Sequence, residues 1–157
     1  MNYLTSLIIA TSIVLLCACG AKEETQPLTP SPLVALLAPT LASALASADT
    51  AINTALEKSD YPTQTIQSLT ELKTVFDRLT SINQRLIHRG VNSDSAVELS
   101  ISANEIHQLR GLIEADIIAL KHSNAAAAIR LGVVNELAEF CQLTAQDISQ
   151  AMSPAEF

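Results

Sequence analysis

The chain has 157 residues, of which 48% are hydrophobic, 16% charged and 3% aromatic, and its formal net charge is −7. This length allows one domain, and the apolar fraction excludes a wholly disordered chain. The excess of acidic over basic residues argues against nucleic acid as a partner, because phosphate binding requires a basic surface.

An uncharged, largely apolar run occupies residues 4–16. The run is short for a helix that spans a bilayer, and its length is typical of the hydrophobic region of a signal peptide. No Lys or Arg precedes it, so the α-amino group supplies the only positive charge there. We interpret the run as part of a signal peptide. An uncleaved N-terminal membrane anchor is the alternative.

The apolar run ends in the sequence Leu16-Cys17-Ala18-Cys19-Gly20. This segment resembles the lipobox of bacterial lipoproteins, in which an aliphatic, a variable and a small residue precede a cysteine that is modified. The resemblance covers only residues 1–20. It implies that a signal peptide of residues 1–18 is removed, and that Cys19 then carries a thioether-linked diacylglycerol and an acyl chain, such as palmitate, on its amine. Several acyl chains together hold a protein stably at a membrane, at ~0.8 kcal/mol per buried CH₂.

The residues after Cys19 bear on localisation and domain boundaries. The residue after Cys19 is Gly20 and not Asp. In Gram-negative lipoproteins, a residue other than Asp at this position implies transport to the outer membrane, where the protein faces the periplasm. Residues 21–31 are polar and contain two Pro residues, a composition that cannot bury a core. We therefore interpret residues 19–31 as a flexible lipidated tether, of which residues 21–31 reach at most ~40 Å. The predicted helical domain covers residues 32–153.

The clearest helical pattern covers residues 63–90, where apolar side chains recur every three or four residues and the opposite face is polar. Gly90 is placed to stop this helix, with basic residues in its last turn. Asn83 falls within the apolar stripe. It is either tolerated at a bundle end or fixes the register of neighbouring helices.

Two further segments flank this pattern. Upstream, Ser31-Pro32 predicts a helix start, and Pro39 predicts a break or kink in the helix, which then continues to about Lys58. The stretch 59–62 predicts a turn between the two helices.

Downstream, Ser95 and Glu98 fit a capping box, and apolar side chains then recur at helical spacing as far as Leu120. A second stripe follows, with Asn124 as its candidate N-cap. One continuous helix over residues 95–152 is the alternative, because no Pro interrupts them. We favour a break at residues 122–124. No segment alternates with period two, so the predicted fold is all-α, an up-and-down bundle of about four helices.

The sequence lacks the common motifs of catalytic, haem and metal sites. No carboxylate lies three or four residues from any histidine, as di-iron bundles require; the histidines are His88, His107 and His122. The isolated Gly residues form no phosphate-binding loop. Glu136 and Glu139 share one helix face and could contact a cation, although a solvated face is the simpler interpretation. The sequence therefore predicts a protein that is not an enzyme and has no metal or cofactor besides the covalent lipid.

Cys141 is the third cysteine of the chain. With Cys17 removed and Cys19 acylated, it has no partner for an intramolecular disulfide. We interpret it as a buried small apolar residue, with an intermolecular bridge as the alternative.

Asp116 and Arg130 form a candidate structural ion pair. Each is flanked by apolar residues on its own helix, and each lies seven residues from Ser123. An antiparallel hairpin centred on Ser123 places the two at the same height, and an antiparallel dimer of one straight helix does the same between chains. The alternative is that each side chain reaches solvent at the edge of its stripe.

Together these observations predict a membrane-anchored lipoprotein of the bacterial cell envelope whose helical bundle binds another envelope protein. Inhibitor, immunity, exclusion and assembly roles fit equally. One alternative is a structural lipoprotein that self-associates as a coiled coil, favoured if residues 95–152 form one helix. Another is a bundle that binds an apolar ligand in its interior.

Overall fold

The computed structural model describes residues 31–58 and 60–152. These residues form four α-helices and no β-strand: α1 Pro32–Glu57, α2 Thr63–Arg89, α3 Ser93–Leu120 and α4 Ala125–Met152. Consecutive helices pack against one another and α1 packs against α4, which closes an up-and-down bundle. The predicted fold class is confirmed. The predicted signal peptide, and the tether up to residue 30, lie outside the described residues.

Helix α1 begins as predicted, with Ser31 Oγ accepting a hydrogen bond from the backbone N–H of Val34 at 3.3 Å. A break or a kink was predicted at Pro39, and the break is wrong, because α1 runs through this residue to Glu57. A proline in a helix interior costs roughly 3 kcal/mol. Buried neighbours on both sides, Ala38 and Leu41, hold the helix against the bundle, and this packing outweighs the local cost.

Asn83 lies inside the interface between α1 and α2, with only 1% of its surface exposed. Its Nδ2 donates to the backbone oxygen of Ala38 at 2.8 Å. Its Oδ1 has no hydrogen-bond partner among residues 31–58 and 60–152. The cross-helix bond ties α2 to α1 at one relative height, which favours the interpretation that Asn83 fixes the register.

The ends of α2 and α3 are set by Gly90 and Asn92. Gly90 ends α2 as predicted and has a φ of 83°, a left-handed conformation that favours glycine. The predicted capping box at Ser95 and Glu98 is wrong, because α3 begins earlier. Asn92 is its N-cap, and Asn92 Oδ1 accepts hydrogen bonds from both the backbone N–H and the hydroxyl of Ser95 at 2.8 Å. Glu98 instead forms an ion pair with Arg85 of α2.

The chain turns at residues 121–124, so the alternative of one helix over residues 95–152 is excluded. Asn124 caps α4 as predicted, since its Oδ1 accepts a hydrogen bond from the backbone N–H of Ala127 at 3.2 Å. The α3–α4 turn therefore lies at the same end of the bundle as the α1–α2 turn. Ser31, through which the tether would enter, lies at the opposite end.

The apolar stripes predicted from the sequence meet in one core to which all four helices contribute. Its largest side chains have less than 2% of their surface exposed; they are Phe76, Leu41, Leu45, Ile52, Leu69, Leu72, Leu79, Ile82, Leu99, Ile106, Ile113 and Leu131. Cys141 is also fully buried and forms no disulfide within the described residues. Burial raises the pKa of the Cys141 thiol to about 12, so this side chain behaves as a small apolar residue.

Candidate functional site

Arg130 does not pair with Asp116, and that prediction is wrong. Its Nη2 lies 2.6 Å from Oδ2 of Asp60 in the α1–α2 turn, and its Nε donates to the hydroxyl of Tyr61 at 3.0 Å. The two predicted partners do share a height, since the turn lies near Ser123. Equal height, however, does not fix the direction of a side chain around its helix. Arg130 points towards the α1–α2 turn and away from Asp116.

Four residues join the two turns at this end of the bundle: Asp60, Tyr61, Asn124 and Arg130, here called the turn clasp. Asn124 Nδ2 donates to Asp60 Oδ2 at 3.1 Å, and the Arg130 guanidinium carbon lies 5.5 Å from the centre of the Tyr61 ring. The hydrogen bond from Arg130, assisted by the one from Asn124, lowers the pKa of Asp60. The hydrogen bonds to Tyr61 and then Asp60 raise the pKa of Arg130. The clasp is a structural feature that holds the turns together.

We expect Asp60→Asn to lower the urea midpoint at pH 7, and we expect the difference from the unmodified protein to shrink as the pH is lowered below ~3.9. The pKa of Asp60 is lowered by folding, so its carboxylate stabilises the fold above the unfolded value of ~3.9. That contribution is lost as the pH falls through the folded value. Asp77→Asn is the control, because Asp77 is exposed and has no ion pair among the described residues. An equal difference at both pH values would contradict a charge-based role.

Asp116 is half-buried on α3, and its Oδ2 is shielded from solvent. This oxygen has no hydrogen-bond partner in the described part of the chain. From the sequence, a buried carboxylate at Asp116 was expected to pair with a basic residue of α4. No residue of α4 hydrogen-bonds to its buried oxygen.

A second polar cluster lies on the seam between α3 and α4 and centres on Arg110, whose side chain is only 12% exposed. The guanidinium donates to Gln142 Oε1 at 2.9 Å and to Asn135 Oδ1 at 3.2 Å, and it lies within 3.5 Å of the carboxylates of Glu114 and Glu139. The sequence analysis missed Arg110. Two features of the sequence could have indicated it: Arg110 lies beside the apolar stripe of α3, and Glu114 follows it by four residues on the same helix.

The sequence analysis allowed Glu136 and Glu139 to contact a cation together, and the surroundings of Arg110 bear on that possibility. Glu139 Oε2 lies 3.4 Å from Arg110 Nη2, so the protein supplies its own positive charge there. Glu136 is exposed and takes no part in the cluster. Within residues 31–58 and 60–152, no group of three or more His, Cys, Asp or Glu side chains is arranged to hold a metal ion. The three histidines are exposed, and His107 Nδ1 lies 3.4 Å from Gln142 Nε2.

The outward face of α4 carries an apolar ridge formed by Ile129, Val133, Phe140 and Leu143. Their exposed fractions run from 48% to 69%. Their spacing of four, seven and three residues places them on one side of the helix. Glu136 lies within the same face and has no ion pair among the described residues. The ridge therefore combines apolar side chains with an unpaired carboxylate at its middle.

A surface cleft with a volume of about 400 Å³ lies between α2 and α3. Its lining includes Arg78 and Glu105, which form an ion pair at 2.8 Å, together with Glu71 and the apolar Leu109 and Leu112. Arg78 and Glu105 therefore already satisfy each other's charge in this cleft. The cleft is therefore a weaker candidate than the α4 ridge.

Helix α1 is the one described helix that is long and apolar enough to cross a bilayer. A core helix meets the same test, and eight α1 residues are buried in the bundle. An apolar helix near the N-terminus is consistent with an envelope protein, but it is weak evidence. Cys19 itself, the predicted lipidation site, lies outside the described residues. No protein-family model, curated protein or solved structure matches this chain.

Proposed function

We propose that this chain is a lipid-anchored protein of the bacterial cell envelope that is not an enzyme, and that its helical bundle binds another envelope protein through the α4 ridge. The anchor is supported by the lipobox-like segment that ends at Cys19. The exposed ridge carries the second half of the proposal, because four large apolar side chains exposed along one face of a folded helix are typical of an interaction site.

Phe140 is the expected centre of the interaction. The chain has three Phe residues, and this one is about half exposed on a helix whose buried face is already complete. Aromatic side chains contribute most to the free energy of binding at protein interfaces, and they do so when they are fully desolvated by the partner. Ile129, Val133 and Leu143 extend the same surface along the helix.

The carboxylate of Glu136 favours a different protein over a second copy of this chain. An antiparallel pair of α4 helices centred on Glu136 would place Ile129 against Leu143, which suits association. It would also bring two Glu136 side chains together at the centre, and like charges in contact at an interface cost several kcal/mol. A partner with a Lys or Arg opposite Glu136, between apolar residues, removes that cost.

The two alternative functions have less support. Self-association as a coiled coil would be favoured if residues 95–152 formed a single helix. Because α3 and α4 are separate helices, that support is lost. An apolar ligand would need internal space, whereas large side chains from α1, α2, α3 and α4 occupy the interior of the bundle.

Site-specific photo-crosslinking in the organism that encodes the protein tests the proposal. A benzophenone amino acid placed at Phe140 or Val133 is expected to give a crosslinked product with one other envelope protein. Thr70 is the matched control, since it is exposed on α2, the helix diagonal to α4. Glu136→Lys is expected to remove the product by reversing the charge.

Two results would contradict this function. The first is the same set of products from Thr70 as from Phe140, because binding would then not be specific to the ridge. The second is a product of two copies of this chain, which would favour self-association.

A further inference from the structure

We propose that the outward face of α3 binds a second copy of this chain, with the two α3 helices antiparallel and Gln108 on the two-fold axis between them. The face is formed by seven exposed residues whose spacing alternates between four and three, here called the outer seam: Val97, Ile101, Asn104, Gln108, Gly111, Ala115 and Ile118. This is the spacing of the residues that meet in a coiled coil. The inference goes beyond the proposed function, because it uses α3 and leaves the α4 ridge free for another protein.

The outer seam carries no charged residue over its whole length, which is ~32 Å of helix. The solvent face of a helix normally carries charged and polar side chains, and apolar faces are normally buried. Three large aliphatic side chains of the seam, Val97, Ile101 and Ile118, nevertheless have exposed fractions of 52% to 72%. The outer seam is therefore suited to burial against another protein surface.

The charges at the two edges of the outer seam are already paired within one copy. Glu98 and Glu105, on the side towards α2, form ion pairs with arginines of that helix. Glu114, on the side towards α4, pairs with Arg110 of its own helix. A second copy on the outer seam therefore meets apolar and amide groups between compensated charges. No like charges face each other along this seam, unlike the two Glu136 side chains of a self-paired α4 ridge.

The outer seam is complementary to itself when two copies are antiparallel. With Gln108 on the axis, residues at about equal distances from Gln108 face each other, so that Val97 lies opposite Ile118. The large Ile101 lies opposite the small Ala115. On the axis the two Gln108 amides meet, and each can both donate and accept a hydrogen bond, so each satisfies the other. A two-fold interface between identical copies requires a surface that matches itself in this way.

Gly111 favours a close approach of the second helix. A Cβ atom added to Gly111 would meet no atom of the described residues within 4 Å, and the residue has no positive φ. Neither packing among the described residues nor backbone conformation therefore requires a glycine here, although glycine destabilises a helix interior relative to alanine. In the antiparallel pair, Gly111 faces Asn104 of the second copy, and the missing side chain leaves room for that amide.

Disulfide trapping of the full-length chain in the membranes of its host tests this arrangement. Two cysteines are bridged only when their Cα atoms lie within ~7 Å of each other. We expect Gln108→Cys to give a dimer under mild oxidation, because the two substituted positions meet at the axis. Ile101→Cys alone should stay monomeric, since its two copies lie ~21 Å apart along the seam. Ile101→Cys combined with Ala115→Cys should again give a dimer, and it covers the case in which Gln108→Cys does not fold.

Thr70→Cys, at an exposed position of α2, reports chance collisions, and the unmodified chain reports the native cysteines. Both should stay monomeric. Adding Ile101→Asp to Gln108→Cys should remove most of the dimer, because a carboxylate then faces Ala115. Monomer from both Gln108→Cys and the double variant, or a product with a different protein, would overturn the proposal. A dimer from Ile101→Cys alone, or as much dimer from Thr70→Cys as from Gln108→Cys, would also contradict it.

Discussion

Replacing the buried Phe76 by Ala is expected to lower the free energy of unfolding by ~3–5 kcal/mol. Phe76 has 1% of its surface exposed and is one of the largest fully buried side chains of the bundle. Its removal loses the transfer free energy of the ring and leaves a cavity that helices fixed by their other contacts fill only in part. Domains have a total stability of only ~5–15 kcal/mol, so this loss is large. Urea unfolding followed by circular dichroism measures it.

Phe140→Ala is the matched control, since it makes the same chemical change on the outer face of α4, where the ring is 49% exposed. We expect it to change the free energy of unfolding by about 1 kcal/mol or less. It should instead remove the crosslinked product of the α4 ridge when the crosslinker is placed at Val133. Equal losses of stability for the two variants would contradict the assignment of Phe76 to the core and Phe140 to the interaction surface.

Replacing Cys19 by Ser is expected to leave an unprocessed precursor that carries no acyl label. The thioether needs the sulfur, so no diacylglycerol forms, and the resemblance to bacterial lipoproteins implies that the signal peptide of residues 1–18 then stays on the chain. Labelling with a palmitate analogue, together with the mass of the chain, measures both effects.

Cys17→Ser is the control for this prediction, since it changes the neighbouring cysteine and leaves Cys19 in place. It should keep the label and should still lose residues 1–18. Label that persists in Cys19→Ser, and disappears in Cys17→Ser, would move the modified residue to Cys17.

The sequence predicted the helices well because their apolar residues repeat at a helical period. Gly90 and Asn124 then marked two boundaries through local backbone chemistry that depends on few distant contacts. The break allowed at Pro39 and the predicted start of α3 were wrong for different reasons. At Pro39, tertiary packing outweighed a local penalty. At the start of α3, Asn92 and Ser95 are both acceptable N-caps and lie close together. Asn92 is the N-cap in the structure and accepts two hydrogen bonds from Ser95, whereas the predicted capping box used Ser95 as the N-cap.

The interaction surface was harder to predict from the sequence than the fold. Helix α4 carries apolar residues on more than one face, so periodicity identified its buried stripe but not that Ile129 and Phe140 stay exposed. The partner of Arg130 was missed because sequence spacing gives heights along helices and not directions around them. Asp60, its actual partner, lies seventy residues away in a turn that has no periodic pattern.

The most direct test of the lipid anchor is the mass of the N-terminal peptide from protein purified out of the membranes of its own host. The account predicts a peptide that begins at Cys19 and carries the mass of a diacylglycerol and an acyl chain. A peptide that begins at Met1 and contains an unmodified Cys19 would contradict it.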